Sequence, residues 1–224
     1  MPRPPRIVEA DAIYHVLNRA NARAQIFSGE GDYRAFEEVL IEAKEKHPMR
    51  ILAYCLMPNH WHFVLHPEGS EDLSSFMRWL TLTHTQRWLT SKRMIGYGHV
   101  YQGRYKSFPV QKDKHFLRVC KYVESNASRA GLSKKAEEWR WGSAWVRIFG
   151  SPDQKQLLSE WPIPMSEGYL SYLNQEEDEG MLKSMRNSVN RGAPLGSERW
   201  VERMAEKLTL ESALRPRGRP RKGT

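Results

Sequence analysis

Two histidines, His60 and His62, sit two residues apart in the stretch Cys55-Leu-Met-Pro-Asn-His-Trp-His-Phe-Val-Leu-His66. In a β-strand residues i and i+2 face the same way, so both imidazoles can bind one divalent cation while Trp61, Phe63 and Leu65 pack on the other side. The spacing alone leaves other chemistries open. A cupin-like site also uses His-x-His on a strand with a later Glu, for which Glu68 is the candidate, but the helix-rich surroundings argue against it. A histidine-triad hydrolase needs a third alternating histidine where Val64 stands.

A second group of polar side chains falls at helical spacing. His115, Arg118, Tyr122, Asn126 and Arg129 recur three and four residues apart and share one stripe of a helix that Asp113 can cap. Tyr122 is the one aromatic on that stripe. A tyrosine hydroxyl with an Asn one turn later suits attack on phosphorus: the phenolate is the nucleophile, and the Asn126 carboxamide oxygen offers a third, hard ligand beside His60 and His62. An ordinary phenol titrates near pH about 10, so the attack needs a cation, from a metal or from Arg or Lys.

The elements that must position these residues follow from periodicity. Ala12 to Arg19 alternates as a first strand, and Tyr33, Phe36, Val39, Leu40 and Ala43 mark a helix stopped by His47-Pro48. Met49 to Met57 and His60 to His66 read as a hairpin joined at Pro58-Asn59. Leu73, Phe76, Met77, Leu80 and Leu82 mark a helix from about Glu71 to Ser91. Val100 to Val110 reads as hairpin or edge-strand material, and the Asp113 helix runs to about Arg129, with Gly131 ending it. The order β-α-β-β-α-β-α implies an α+β fold: a ferredoxin-like antiparallel sheet with helices on one face. A Trp-rich segment follows (Trp139, Trp141, Trp145), more consistent with closing a core than with stacking on bases.

These motifs, in this order, resemble a family. His-Trp-His after Met-Pro-Asn, Asn18-Arg19 at the end of the first strand, Tyr101-Gln-Gly-Arg-Tyr-Lys-Ser-Phe-Pro109, and Tyr122-Val-Glu-Ser-Asn-Ala-Ser-Arg-Ala-Gly-Leu132 are similar to the HUH-type single-tyrosine transposases, in their REP-associated branch. The resemblance covers roughly residues 8 to 150. It implies that Tyr122 is the catalytic nucleophile and that His60, His62 and Asn126 are metal ligands for Mg²⁺ or Mn²⁺. The substrate it implies is single-stranded DNA with hairpins, cut through a covalent 5′-phosphotyrosine intermediate that leaves a free 3′-OH. One departure is local: this chain has Asn126-Ala127-Ser128 where the family commonly has Asn-Pro. Two neighbouring readings are a noncatalytic DNA-hairpin-binding protein and a replication-initiator or relaxase-like nickase.

Charge supports a polyanionic partner. The formal net charge is +9 over 224 residues, and residues 181 to 224 carry 11 Lys or Arg against 4 Asp or Glu. Arg19, Arg104, Lys106, Arg118 and Arg129 are candidates for DNA contact near the chemistry. So are Arg217, Arg219 and Arg221, in an Arg-Pro-Arg-Gly-Arg-Pro-Arg-Lys tail similar to an AT-hook for an A/T-rich minor groove. The expected organisation is a catalytic domain over 1–150, a helical extension over 151–208 and a basic tail over 209–224. Two apolar cysteines, Cys55 and Cys120, and the lack of any long apolar run point to a cytoplasmic, nucleoid-associated protein with no membrane contact. Monomer and homodimer are both compatible with a single tyrosine, because a second cleavage needs another subunit's Tyr122 or release of the first intermediate.

Overall fold

The computed structural model describes residues 7–96 and 98–215. Four strands, β1 (Ile13–Arg19), β2 (Arg50–Met57), β3 (His60–His66) and β4 (Lys106–Val110), form one sheet in the order β2-β3-β1-β4. Every pairing is antiparallel, and the two-residue Pro58-Asn59 connection sets the β2–β3 register so that Met57 faces His60. Alternation along β1 sends Tyr14 and Val16 into one buried cluster and Ile13 into the other, so the sheet is apolar on both faces.

Each face needs a cover. Helix α1 (Glu30–Lys46) buries Tyr33, Phe36, Val39, Leu40 and Ala43, and α2 (Asp72–Ser91) buries Leu73, Phe76, Met77 and Leu80, against Tyr14, Tyr54, Trp61 and Phe63. These two crossover helices share one face, as the α+β plan implies. Helix α3 (Lys114–Glu124), expected on that face too, covers the opposite one: Phe116, Val119, Cys120 and Val123 pack on Ile13, Cys55, Val64, Phe108 and Val110. Burying two apolar faces at roughly 25 cal/mol per Å² requires helices on both sides. His60 and His62 belong to the face under α3, so the same packing that buries it brings the tyrosine helix to the histidines.

The Asp113 side chain caps α3 by accepting from the His115 amide at 2.8 Å. The helix does not run unbroken to Arg129. It ends at Glu124, and a single turn, α4 (Asn126–Arg129), resumes after Ser125. The Ser125 hydroxyl bonds back to the Lys121 carbonyl at 2.7 Å and the Ser128 hydroxyl to the Ser125 carbonyl at 3.0 Å, both of which compete with the regular ladder. Gly131, at φ +73°, then turns the chain where a side chain would be strained.

β4 is shorter than the stretch expected to be extended. Tyr101 makes only an isolated bridge to Ala20, and regular pairing starts at Lys106. Its outer edge is capped rather than bare: Leu195 donates to the Pro109 carbonyl and accepts from the Gln111 amide, both at 2.9 Å.

Leu195 belongs to the connection between α8 (Glu179–Arg191) and α9 (Glu198–Lys207); the short helices α5 (Ser143–Phe149), α6 (Pro152–Gln156) and α7 (Tyr169–Asn174) precede them and α10 (Glu211–Leu214) follows. Met185 and Leu195 join the core under α3. Trp141 stacks on Tyr33 at 4.7 Å and Trp139 donates its indole N–H to the Leu56 carbonyl at 2.9 Å, so both close the core. Arg217, Arg219 and Arg221 lie outside the described residues. Among the described residues no helix is long and apolar enough to cross a membrane.

Candidate active site

The strand places His60 and His62 side by side, with ring centroids 5.1 Å apart. His60 sits at the open end of β3, opposite Arg19 of β1, and its Nδ1 lies 2.6 Å from Asn59 Oδ1. Because Asn59 Nδ2 reaches the Arg23 carbonyl, its oxygen is left as the acceptor for His60. His62 is buried, and its Nδ1 lies 2.8 Å from His15 Nε2. Burial and the nearby Arg19 push the His60 imidazole down to about 4; burial, then His15 and His60, push His62 well below its ordinary range. Both rings are neutral at pH 7, the state that offers a nitrogen lone pair to a cation.

α3 brings Tyr122 to this pair. Its ring lies edge-on to His62 at 5.9 Å and to His15 at 6.0 Å, and it is half-buried at the margin of the core. The Arg129 guanidinium sits over the Tyr122 ring at 4.4 Å. Two hydrogen bonds lock it there, to Ser125 Oγ at 2.6 Å and to the Tyr122 carbonyl at 2.9 Å. The break at Ser125 is what folds Arg129 back, since its hydroxyl is one of those two anchors.

Asn126 lies one turn past Tyr122, and its amide nitrogen is buried without a hydrogen-bond partner among the described residues. An orphaned buried carboxamide is costly unless something else satisfies it. Among the described residues, no three His, Cys, Asp or Glu side chains are arranged to hold a metal. A site on His60 and His62 would therefore take a third protein ligand of another type, such as the carboxamide oxygen of Asn126, whose Nδ2 would still need an acceptor that a cation does not supply.

The other basic candidates divide. Arg19, Arg104 and Lys106 line one groove of about 760 Å³ between β1, β4 and the end of α8, and Arg19 also touches the histidine end of the sheet. Arg118 lies elsewhere on α3, near Tyr172. His15 is the residue that sequence reasoning passed over. Its alternation with Leu17 and Arg19 was visible, but its bond to His62 depends on strand pairing across 47 residues.

Comparison with known proteins bears on this arrangement. The chain is 24% identical over 131 residues to the REP-associated tyrosine transposase of Escherichia coli (strain K12), covering 56% of this chain and 72% of that protein. Its fold is similar to a solved REP-associated tyrosine transposase bound to a REP hairpin, with a TM-score of 0.55 and 18% identity over 80% of this chain and 93% of that one. The family profile described as Transposase IS200 like matches residues 9–126, more than half of the 224 residues and the span that holds β1 through Tyr122. The chain thus belongs to the IS200-like transposases and is a single-tyrosine DNA transposase.

Proposed function

We propose that this transposase cleaves and rejoins single-stranded, hairpin-bearing DNA with Tyr122 as its nucleophile. The observation that carries the reading is the meeting of Tyr122, the β3 histidine pair and the Arg129 guanidinium at one margin of the sheet. The Tyr122 phenolate oxygen forms a bond to a backbone phosphorus and the bond from phosphorus to the 3′ oxygen breaks. The products are a 5′-phosphotyrosine ester and a free 3′-OH. Because the ester conserves the energy of the broken phosphodiester, a 3′-OH from another strand can attack it and restore the tyrosine without ATP.

His60 and His62, with Asn126, would hold Mg²⁺ or Mn²⁺. When bound, that ion supplies Lewis-acid stabilisation of charge on the scissile phosphate. The protein's own contribution is positional and electrostatic. α3 fixes the phenol beside the histidine end of β3, and Arg129 presents a positive charge to the ring as it gains anionic character. The groove lined by Arg19, Arg104 and Lys106 adjoins the histidine end of the sheet through Arg19, which pairs with His60, and suits a single-stranded backbone. In this reading residues 1–150 carry the chemistry, 151–208 wall the groove, and Arg217, Arg219 and Arg221 of the tail add affinity for DNA.

The test is strand polarity. A hairpin-bearing oligonucleotide labelled at its 3′ end should give, with Mn²⁺ or Mg²⁺, a denaturation-resistant labelled adduct, and the released fragment should prime a polymerase through its 3′-OH. Adduct formation only with a 5′-end label would reverse the polarity and overturn the mechanism.

A further inference from the structure

Each of the paired histidines of β3 is held at Nδ1 by a different neighbour. For His60 the neighbour is Asn59 Oδ1 at 2.6 Å, an acceptor, so His60 carries its proton on Nδ1 and its lone pair on Nε2. For His62 it is His15 Nε2 at 2.8 Å, from a strand one position away in the sheet. The two rings lie nearly parallel, at 15° with centroids 5.0 Å apart, and Phe108 and Tyr122 box His15 in on other sides. His15 is wholly buried, and its remaining ring nitrogen, Nδ1, has no hydrogen-bond partner among the described residues. Packing alone would be served better by Phe or Leu at this position, because an imidazole there leaves a polar atom unsatisfied. Among the described residues, the polar contact of the His15 side chain is the one to His62.

We infer that His15 is a positioning residue for the metal site: it accepts the Nδ1 proton of His62 and so holds that ring in the orientation and tautomer that leave Nε2 free for a divalent cation. The inference rests on His60 and His62 binding the ion. A hydrogen bond between two ring nitrogens has one donor and one acceptor, and the reverse assignment would put a proton on His62 Nε2 and remove it as a ligand. Outer partners of this kind orient a ligating imidazole and raise its basicity. With His15 and Asn59 both acting at Nδ1, the two lone pairs are set before any cation arrives.

The experiment measures Mn²⁺ affinity of the full chain without DNA, by the loss of the free-ion electron paramagnetic resonance signal. His15→Phe fills the same space without an acceptor and should weaken binding by about 10- to 100-fold. His15→Gln, whose carboxamide oxygen can accept from His62, should stay within about threefold of the natural protein, given the same hydrogen-bonding capacity. Unchanged affinity in His15→Phe, with His62→Ala losing binding, would overturn the role of His15 and leave the metal site standing. Equal losses in the Phe and Gln variants would also overturn it. Unchanged affinity in His62→Ala would instead remove the metal reading itself. A long-range ¹H–¹⁵N spectrum of the natural protein tests the tautomer directly: His62 protonated on Nδ1 is expected, and protonation on Nε2 would contradict the inference even if a variant failed to fold.

Discussion

Replacing Arg129 with Gln removes the guanidinium that lies over the Tyr122 ring. The guanidinium lies 4.4 Å from the ring centroid, so with an effective dielectric of about 20 it stabilises a negative charge shared between the ring and its oxygen by at most about 4 kcal/mol. Two features reduce that figure. The Arg129 side chain is 24% exposed, so solvent screens it, and a Glu177 carboxylate oxygen lies 3.5 Å from the guanidinium and opposes part of its field. Halving the estimate leaves about 2 kcal/mol, a loss of about thirtyfold in the rate at which Tyr122 forms its ester. The assay is single-turnover adduct formation on a hairpin-bearing oligonucleotide at saturating DNA, with affinity measured separately by fluorescence anisotropy. Arg129→Lys separates charge from anchoring: it keeps the cation but gives up the paired bonds to Ser125 and the Tyr122 carbonyl, and should lose far less than the Gln variant. A rate within threefold of the natural protein in Arg129→Gln, with affinity intact, would refute the electrostatic role. Equal losses in the two variants would assign Arg129 to holding the α3–α4 turn instead.

Two further outcomes concern the scaffold behind β3. Trp61, between the two histidines but facing the other side of the sheet, donates its indole N–H to the Tyr101 hydroxyl at 3.0 Å, and that hydroxyl donates in turn to His84 Nδ1 at 2.7 Å. Tyr101→Phe strands two buried polar groups and should cost about 3 kcal/mol, lowering Tm by about 9 °C in a thermal melt; a shift under about 2 °C would contradict the relay. The same site sets an acid limit on stability. Burial holds His84 down to about 4 in the fold against 6.5 in an open chain, so the unfolded chain takes up the proton first as the pH falls. Stability from this group is present above pH 6.5 and is lost as the pH drops toward 4. His84→Gln should shrink the difference in unfolding free energy between pH 7 and pH 4.5 by about 2 kcal/mol, measured by denaturant titration, and an unchanged difference would place the acid sensitivity elsewhere.

What could be read before any coordinates was local. The His60-x-His62 alternation, the Asp113 cap and the spacing of Tyr122 to the apolar stripe each depend on residues within a turn or two, and the strands and helices that carry them lie where the periodicity puts them. Within the segment expected to be helical, Glu179–Arg191 likewise ends on a local signal, Gly192 at φ +72°. What could not be read was set by tertiary packing. The third helix crosses to the other face because that face is apolar too, a property of four strands together. The bond of His15 to His62 requires the β1–β3 register. The break at Ser125 had a local signal in Ser125 and Ser128, but the bond of the Ser125 hydroxyl to the backbone rather than to solvent goes with the burial of Ser125 in the fold. Leu195 covering the β4 edge joins segments 85 residues apart and left no pattern in either.

The central claim is that Tyr122 becomes covalently attached to DNA, and peptide mapping of the adduct tests it most directly. Trypsin cuts after Lys121 and Arg129 and releases Tyr122-Val-Glu-Ser-Asn-Ala-Ser-Arg129, a peptide with a single tyrosine. After nuclease trimming of the bound strand, the mass of a nucleotide remnant should appear on that peptide and vanish in Tyr122→Phe. A remnant on a peptide holding Tyr101 or Tyr105, or an adduct that survives Tyr122→Phe, would contradict the account.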